Sequence, residues 1–207
     1  MMINAVIFDI GNVLIEWQPE RHYDRIIGPE ARHAMFAEVD LHAMNDAVDK
    51  GADLAQMAQI YAERYPHWRD EILRWHTDWI HMASPEIPHS VLLLRALRAN
   101  GVPVFALTNF GTGTFAAARN HYPFLNEFDR SYVSGHMGII KPDAEIYRQV
   151  EADCGIPPKT LLFTDDRADN IAAARLRGWQ VHHFTGPEGW AARLVKAGLL
   201  SKEDAQL

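Results

Sequence analysis

The segment 5–15 constrains the fold more than any other part of this 207-residue chain. Residues 5–8 (Ala-Val-Ile-Phe) are apolar without alternation, which is typical of a β-strand buried on both faces of a parallel sheet. Asp9 follows directly, so we expect its carboxylate at the carboxyl end of that strand, where ligands bind in open α/β sheets. Gly11 and Asn12 are compatible with a tight turn just beyond it. The segment alone leaves Asp9 open as a catalytic residue or a helix cap.

From Pro85 onwards, apolar segments of strand length alternate with segments of helical periodicity. Strands are predicted at 102–107, 130–134, 161–164 and 179–184, and helices at 88–100, 112–121, 142–154, 168–177 and 189–197. Glycines directly after several of these helices are helix stop signals. The alternation predicts an α/β fold, a doubly wound parallel sheet built from right-handed βαβ units and covered by helices on both faces.

Residues 16–84 show helical patterning and little strand signal. An aromatic stripe at Trp68, Trp75 and Trp79 is interpreted as a helix packing face. The segment is too long for an ordinary crossover, so we interpret it as an insertion. The expected organisation is an α/β core domain formed by residues 1–15 and 85–207, with residues 16–84 as a helical cap over the carboxyl edge of the sheet.

Composition argues against several classes of function. The net charge of −7 disfavours nucleic acid and membrane surfaces as partners. No apolar segment approaches the ~18 residues of a membrane span, and an acidic residue follows too soon after the start for a signal peptide. Cys154 is the single cysteine, so an internal disulfide is impossible. These features predict a cytoplasmic protein acting on a small molecule and leave its oligomeric state open.

Polar residues end three of the predicted strands, and a lysine precedes one predicted helix. They are Asp9, Thr108, Asn109, Asp165 and Asp166, and the lysine is Lys141. The carboxyl ends of these strands meet at one edge of a doubly wound sheet, where several carboxylates would repel one another. Mg²⁺ relieves that repulsion, since it takes carboxylate ligands and binds substrate phosphate. The pattern therefore predicts a magnesium and phosphate site in which Asp9 is the nucleophile.

Four motifs in this order resemble those of the haloacid dehalogenase superfamily. They are Phe-Asp-Ile-Gly-Asn-Val at 8–13, Leu-Thr-Asn at 107–109, Lys-Pro at 141–142, and Thr-Asp-Asp at 164–166 followed by Asp-Asn at 169–170. The first and fourth motifs are most similar to sugar-phosphate phosphatases of the α-D-glucose-1-phosphate phosphatase type. The resemblance implies a Rossmann-like core with a helical cap, and Mg²⁺-dependent hydrolysis of a small phosphorylated metabolite through an aspartyl-phosphate intermediate.

The resemblance also implies roles for individual residues. Asp9 is expected to be the nucleophile and a metal ligand, and the carbonyl of Gly11 a second ligand. Asp166 is expected as the acidic ligand of the fourth motif, with Asp165 beside it, and which of the two binds the metal directly is left open. The expected phosphoryl-binding residues are Thr108, Asn109 and Lys141.

Gly11 departs from the superfamily pattern. Most phosphatases of this superfamily have an aspartate there, as general acid and base, a function worth about 10²–10⁴-fold in rate. Glu16 or His22 could substitute from the cap. Without any substitute, the rate should depend steeply on leaving-group acidity, so that sugar 1-phosphates and aryl phosphates outrun sugar 6-phosphates. A flat dependence would indicate a proton donor elsewhere, most plausibly in the cap.

Two other functions remain open at this stage. A 2-haloacid dehalogenase would use the same aspartate without a metal, but Asp165 and Asp166 would hinder binding of its carboxylate substrate. A non-catalytic phosphate-binding homologue would keep the site without the chemistry. The joint presence of Asp9, Lys141 and Asp166 argues against it.

Overall fold

A computed structural model describes residues 2–207, and seven strands lie within them. The strands are β1 Ala5–Phe8, β2 Ile15–Trp17, β3 Ala83–Glu86, β4 Val104–Thr108, β5 Arg130–Val133, β6 Leu161–Asp165 and β7 Gln180–His183. Five of them form one parallel sheet in the order β5-β4-β1-β6-β7. This arrangement confirms the predicted doubly wound α/β fold.

Twelve α-helices lie in the same residues. They are α1 Pro19–Ile26, α2 Pro29–Glu38, α3 Leu41–Asp49, α4 Leu54–Arg64, α5 Arg69–Thr77, α6 Trp79–Met82, α7 Pro88–Ala99, α8 Thr112–His121, α9 Ser134–Met137, α10 Ala144–Cys154, α11 Ala168–Leu176 and α12 Pro187–Lys196. Short 3₁₀ helices cover Pro66–Trp68, Pro123–Asn126 and Pro158–Thr160. No helix of residues 2–207 has the length and apolar character needed to cross a bilayer.

The position of β1 at the centre of the sheet explains why its sequence is apolar and where the site described below lies. Val6 and Phe8 belong to one apolar cluster and Ala5 and Ile7 to another, and all four are fully buried. Successive side chains of a strand point to opposite faces, so the sheet is covered on both sides. Each large side chain buried in this way contributes about 1.5–3 kcal/mol. The strand order changes direction beside β1, which is where open α/β sheets bind ligands.

Helices α1 to α6 all lie between β2 and β3, which pair with each other in antiparallel orientation. Ile15 lies opposite Glu86 and Trp17 opposite Ala83, so the chain enters and leaves the helical segment at one place. These strands were not predicted, because each has at most four residues and carries polar side chains. The division into core and cap stays a prediction, and residue 1 of the expected core lies outside the described residues.

The aromatic stripe of the helical segment serves two purposes. Trp75 is fully buried and packs against Trp17, with ring centroids 5.9 Å apart, as expected for a packing face. Trp79 begins a separate short helix, because the helical run breaks at Asp78. Its ring packs on Phe110, at 5.3 Å, and both rings border the cavity described below.

Candidate active site

Three aspartates meet at the carboxyl edge of the sheet. Asp9 follows β1, Asp165 is the last residue of β6, and Asp166 follows it. Each offers one carboxylate oxygen, and these oxygens lie within 4.8 Å of one another. Asp9 and Asp165 are buried and Asp166 is partly exposed. The strands β1 and β6 are direct neighbours, so the parallel register itself brings the carboxylates together.

Lys141 lies among these carboxylates. Its Nζ is 2.9 Å from Asp9 Oδ1 and 2.7 Å from Asp165 Oδ2, and it donates a hydrogen bond to the Leu107 carbonyl at 2.8 Å. Burial disfavours the charged lysine, but Asp165 and Asp9 outweigh burial, so the pKa of Lys141 is raised. The lysine therefore stays an ammonium. When the three carboxylates are ionised, three negative charges face one positive charge and two remain unbalanced.

Asp165 and Asp166 have different surroundings. Asp165 is fully buried, and both its oxygens accept hydrogen bonds from Asn170 at 3.0 Å. One oxygen also accepts from the Arg167 backbone N–H, and the other from Lys141. Among the described residues, Asp166 accepts a single side-chain hydrogen bond, from Asn12 Nδ2 at 3.1 Å. The carboxylate of Asp166 is therefore the freer of the two to bind a cation, and that of Asp165 positions other groups.

The electrostatics and donor atoms fit a divalent cation. Burial, together with Asp165 and Asp166 and against the effect of Lys141, raises the pKa of Asp9 to about 7. The pKa of Asp166 is also raised, mainly because the side chain is buried and to a smaller extent because Asp165 is negatively charged. The buried Oδ1 of Asn170, which borders the same cavity, has no hydrogen-bond partner in residues 2–207. Oxygen atoms carrying excess negative charge are the ligands that Mg²⁺ prefers.

The second motif contributes differently from what the sequence suggests. Asn109 Oδ1 accepts from the Lys141 backbone N–H at 2.8 Å, and Asn109 Nδ2 donates to the Lys141 carbonyl at 3.0 Å. The carbonyl oxygen and the NH₂ group of the Asn109 side chain therefore both hold the backbone of Lys141. Thr108 is buried at the end of β4 and is not among the residues that border the cavity, whereas Asn109 is. Their phosphoryl-binding roles stay predictions.

The turn after Asp9 contains a residue that sequence reasoning treated only as turn-forming. Asn12 has a φ of 53°, in the left-handed region that asparagine tolerates better than most residues. Its Oδ1 accepts from the Trp17 backbone N–H at 2.9 Å while its Nδ2 donates to Asp166. Gly11 has no such φ, and a Cβ there would meet nothing within 4 Å. The turn therefore does not exclude a side chain at position 11.

A cavity of about 340 Å³ lies above the carboxylates. Its far wall is α3, from which His42, Asn45, Asp46 and Asp49 face the cavity at the spacing of one helix face. The aromatic side chains that border it are Trp17, Trp79 and Phe110. The α3 residues were missed from sequence, since a polar helix face is equally typical of solvent exposure.

Of the two residues considered as substitutes for the missing acid, only Glu16 borders the cavity. Glu16 borders the cavity but pairs with Arg21 at 2.5 Å. His22 lies 3.2 Å from Asp78 and is not among the cavity-lining residues. His22 is therefore not placed to transfer a proton to a molecule in this cavity.

Comparison with known proteins finds relatives that include two phosphatases. A drimenol cyclase from Aspergillus calidoustus is 26% identical over 184 residues, covering 86% of this chain and 33% of the cyclase. A sesquiterpene phosphatase from Aspergillus oryzae is 32% identical over 93 residues, covering 45% of this chain and 47% of the phosphatase. A phosphatase from Mycobacterium tuberculosis is 27% identical over 192 residues, covering 88% and 87%. The chain thus spans only a third to a half of the fungal relatives.

Solved structures share the fold. A HAD family enzyme from Bacteroides thetaiotaomicron, in complex with magnesium and inorganic phosphate, has a TM-score of 0.70 at 22% identity, covering 89% of this chain and 95% of that one. An L-2-haloacid dehalogenase from Xanthobacter autotrophicus has a TM-score of 0.64 at 18% identity, covering 98% and 86%. At these identities the likeness shows the fold alone. Residues 3–178 match the haloacid dehalogenase-like hydrolase family, and the chain therefore belongs to that family.

Proposed function

We propose that this protein is a Mg²⁺-dependent phosphatase that hydrolyses a small phosphorylated metabolite through an aspartyl-phosphate intermediate. The observation that carries the proposal is the cluster of Asp9, Asp165 and Asp166 around one lysine. Its two unbalanced negative charges call for a divalent cation, and a phosphate group is the substrate moiety that such a cation binds in protein sites.

The chain's own residues account for the chemistry. Asp9 attacks phosphorus through a carboxylate oxygen, the bond from phosphorus to the leaving oxygen breaks, and water later hydrolyses the acyl phosphate. Lys141 offsets negative charge on the phosphoryl oxygens, and Asp165 and Asn109 hold it in place. Mg²⁺, held by Asp9, Asp166 and the Gly11 carbonyl, would supply further charge stabilisation.

A sugar phosphate is the substrate class that the cavity favours. Its volume is within the usual range for small-molecule sites. The polar face of α3 offers hydrogen-bonding groups to hydroxyls, and Trp17, Trp79 and Phe110 offer apolar surface to a sugar ring. A phosphorylated isoprenoid is a second candidate, since those three aromatic residues also suit a hydrocarbon chain and two relatives are a drimenol cyclase and a sesquiterpene phosphatase.

Dehalogenation is disfavoured by the same charges. A 2-haloacid carries a carboxylate, and the unbalanced negative charge of the three aspartates would repel it. The fold neighbour from Xanthobacter autotrophicus is a dehalogenase, but its likeness extends to the fold only.

Phosphate release with Mg²⁺ and with excess chelator tests the proposal. The panel contains sugar 1-phosphates, sugar 6-phosphates, isoprenoid phosphates and aryl phosphates, with 2-chloropropionate as the dehalogenase substrate. We expect phosphate release that stops in chelator and returns with Mg²⁺, and a base-labile phosphoryl adduct on rapid acid quench. Chloride release in chelator without phosphatase activity would establish the dehalogenase function instead.

A further inference from the structure

The end of α3 is attached to the core beside the second motif. Ser134 Oγ donates a hydrogen bond to the Asp49 carbonyl at 2.6 Å, and the Phe110 backbone N–H donates to the same hydroxyl at 2.8 Å. Ser134 is fully buried. One serine therefore links the last residue of α3 to the loop that follows β4, although the two are far apart in sequence.

Two close backbone approaches hold the same junction. A Cβ on Gly51 would lie 2.9 Å from the Gly135 carbonyl oxygen, and a Cβ on Gly111 would lie 2.5 Å from Val48 Cγ1. Side chains at these positions would force the junction apart, so glycine allows α3 to reach the core. Asp49 thus occupies a defined place relative to the phosphate end of the site.

Asp49 differs from the other acids on the cavity wall. Burial, with Asp46 adding to it, raises the pKa of Asp49 to about 7. This pKa is lowered in part by a hydrogen bond from the Gly111 backbone, by the charge of Lys141 and by a hydrogen bond from Asn45. Asn45 lies one helical turn before Asp49, and its Nδ2 donates to Asp49 Oδ2 at 3.0 Å. No lysine, arginine or histidine lies within 4.0 Å of its carboxylate in residues 2–207.

The other charged groups around the cavity are less suited to proton transfer. Glu16 is paired with Arg21, Asp46 is exposed, and His42 is 63% exposed in its side chain and faces Glu20. The remaining charged groups that face the cavity from the core are Asp9, Asp166, Arg167 and Lys141. Asp49 is a partly buried carboxylate of this wall, and a pKa of about 7 leaves both its acid and its base form populated near neutral pH.

We propose that Asp49 is the general acid and base of the phosphatase reaction, in the role for which Gly11 has no side chain. The inference rests on the proposed phosphatase function. As Asp9 attacks and the bond from phosphorus to the leaving oxygen breaks, the Asp49 proton passes to that oxygen and an alcohol departs. In the second half, the Asp49 carboxylate takes a proton from water while the water oxygen bonds to phosphorus. The phosphorus–Asp9 bond breaks, phosphate departs, and Asp49 is protonated again.

The test is the dependence of kcat/KM on leaving-group pKa, for aryl and simple alkyl phosphates with Mg²⁺. Wild type should show a shallow dependence. Asp49→Asn should lower kcat/KM about 10²–10⁴-fold for alkyl phosphates. The loss should be far smaller for aryl phosphates with acidic leaving groups, because an aryloxide can leave without a proton. Asp46→Asn, one helical turn earlier, should change kcat/KM by a similar factor across the series. A uniform loss for Asp49→Asn would overturn the proposal and make Asp49 a positioning residue.

A pH profile and a rescue complete the test. The alkyl phosphate rate of wild type should fall as pH rises through about 7, because the acid form of Asp49 is lost, and Asp49→Asn should lack that limb. Gly11→Asp in the Asp49→Asn background should restore the shallow dependence, since position 11 has room for a side chain. A steep wild-type dependence, or a limb that persists in Asp49→Asn, would overturn the Asp49 role alone. Absence of any Mg²⁺-dependent phosphate release by wild type would overturn the proposed function and this role with it.

Discussion

The two walls of the cavity are both acidic, but only the core wall holds a buried ammonium against its carboxylates. On the core wall, Asp9 and Asp165 lie within 3 Å of the buried Lys141 ammonium. On the α3 wall, Asp46 and Asp49 have no such cation among residues 2–207, and burial raises the pKa of Asp49 to about 7. Burial raises the pKa of Asp9 to about 7 as well, but Lys141 at 2.9 Å favours the ionised form of Asp9, whereas Asp49 has no lysine, arginine or histidine within 4.0 Å in residues 2–207. This difference supports the proposal that phosphate and metal bind at the core wall and that the leaving group lies against α3.

The walls also differ in how their side chains are positioned. The core carboxylates lie at the carboxyl ends of neighbouring parallel strands, so the register of the sheet places them. The α3 carboxylates depend on a junction between segments that are distant in sequence, formed by Ser134 and the glycines at 51, 111 and 135. Mutations on the two walls should therefore give separable effects.

The largest effect should come from Asp9, the proposed nucleophile on the core wall. Asp9→Asn keeps the shape of the side chain but removes the attacking charge, so turnover should fall by more than about 10⁴-fold. Thermal unfolding serves as the control and should show a folded protein. Phosphate release in a sensitive coupled assay provides the measurement, and activity within tenfold of wild type would contradict the assignment of Asp9.

A smaller effect should separate the two neighbouring aspartates. Asp166→Asn removes a carboxylate of the proposed metal site, so the Mg²⁺ concentration for half-maximal activity should rise by at least about 10–100-fold. Asp165→Asn removes a partner of a buried ammonium and should instead cost about 3–5 kcal/mol of unfolding free energy. Mg²⁺ titration of activity and urea unfolding distinguish them. Equal shifts in Mg²⁺ requirement would show that both carboxylates are ligands.

The junction of α3 should respond more mildly. A Cβ on Gly135 would lie 2.7 Å from the Thr112 backbone nitrogen and 2.8 Å from the Phe110 carbonyl oxygen. Gly135→Ala should therefore cost about 1–3 kcal/mol of unfolding free energy through overpacking. The control is Gly113→Ala in α8, where a Cβ meets nothing within 4 Å and stability should stay the same or rise by up to ~1 kcal/mol. Comparable unfolding midpoints for the two variants would mean that the junction accommodates the added methyl group without loss of stability.

The smallest effect is expected at His22, which was considered from sequence as a source of the missing proton. His22 pairs with Asp78 at 3.2 Å in a largely buried contact that lies outside the cavity lining. His22→Ala should leave kcat/KM for alkyl phosphates unchanged, as measured beside Asp49→Asn. A loss confined to poor leaving groups in His22→Ala would transfer the acid role from α3 to α1.

Much of the fold was predictable because its signals are local. The run Ala5–Phe8 is apolar without alternation, as a strand covered on both faces requires, and Thr112–His121 was predicted with its exact bounds. Asp143 and Gly155 bracket α10 as an N-cap and a left-handed C-cap. The short pair β2 and β3 was missed, because strands of three and four residues with polar side chains carry no periodic signal.

The sequence by itself determined the alternation of strands and helices, and with it the gathering of Asp9, Asp165 and Asp166 at one edge. Parallel strands deliver their carboxyl ends to the same edge whatever the loops do. Only the tertiary structure decided that Asp165 holds Lys141 while Asp166 accepts a hydrogen bond from Asn12, and that α3 presents Asp49 to the cavity. These depend on hydrogen bonds and close packing between segments remote in the chain, and no local pattern of residues records which partner a side chain meets.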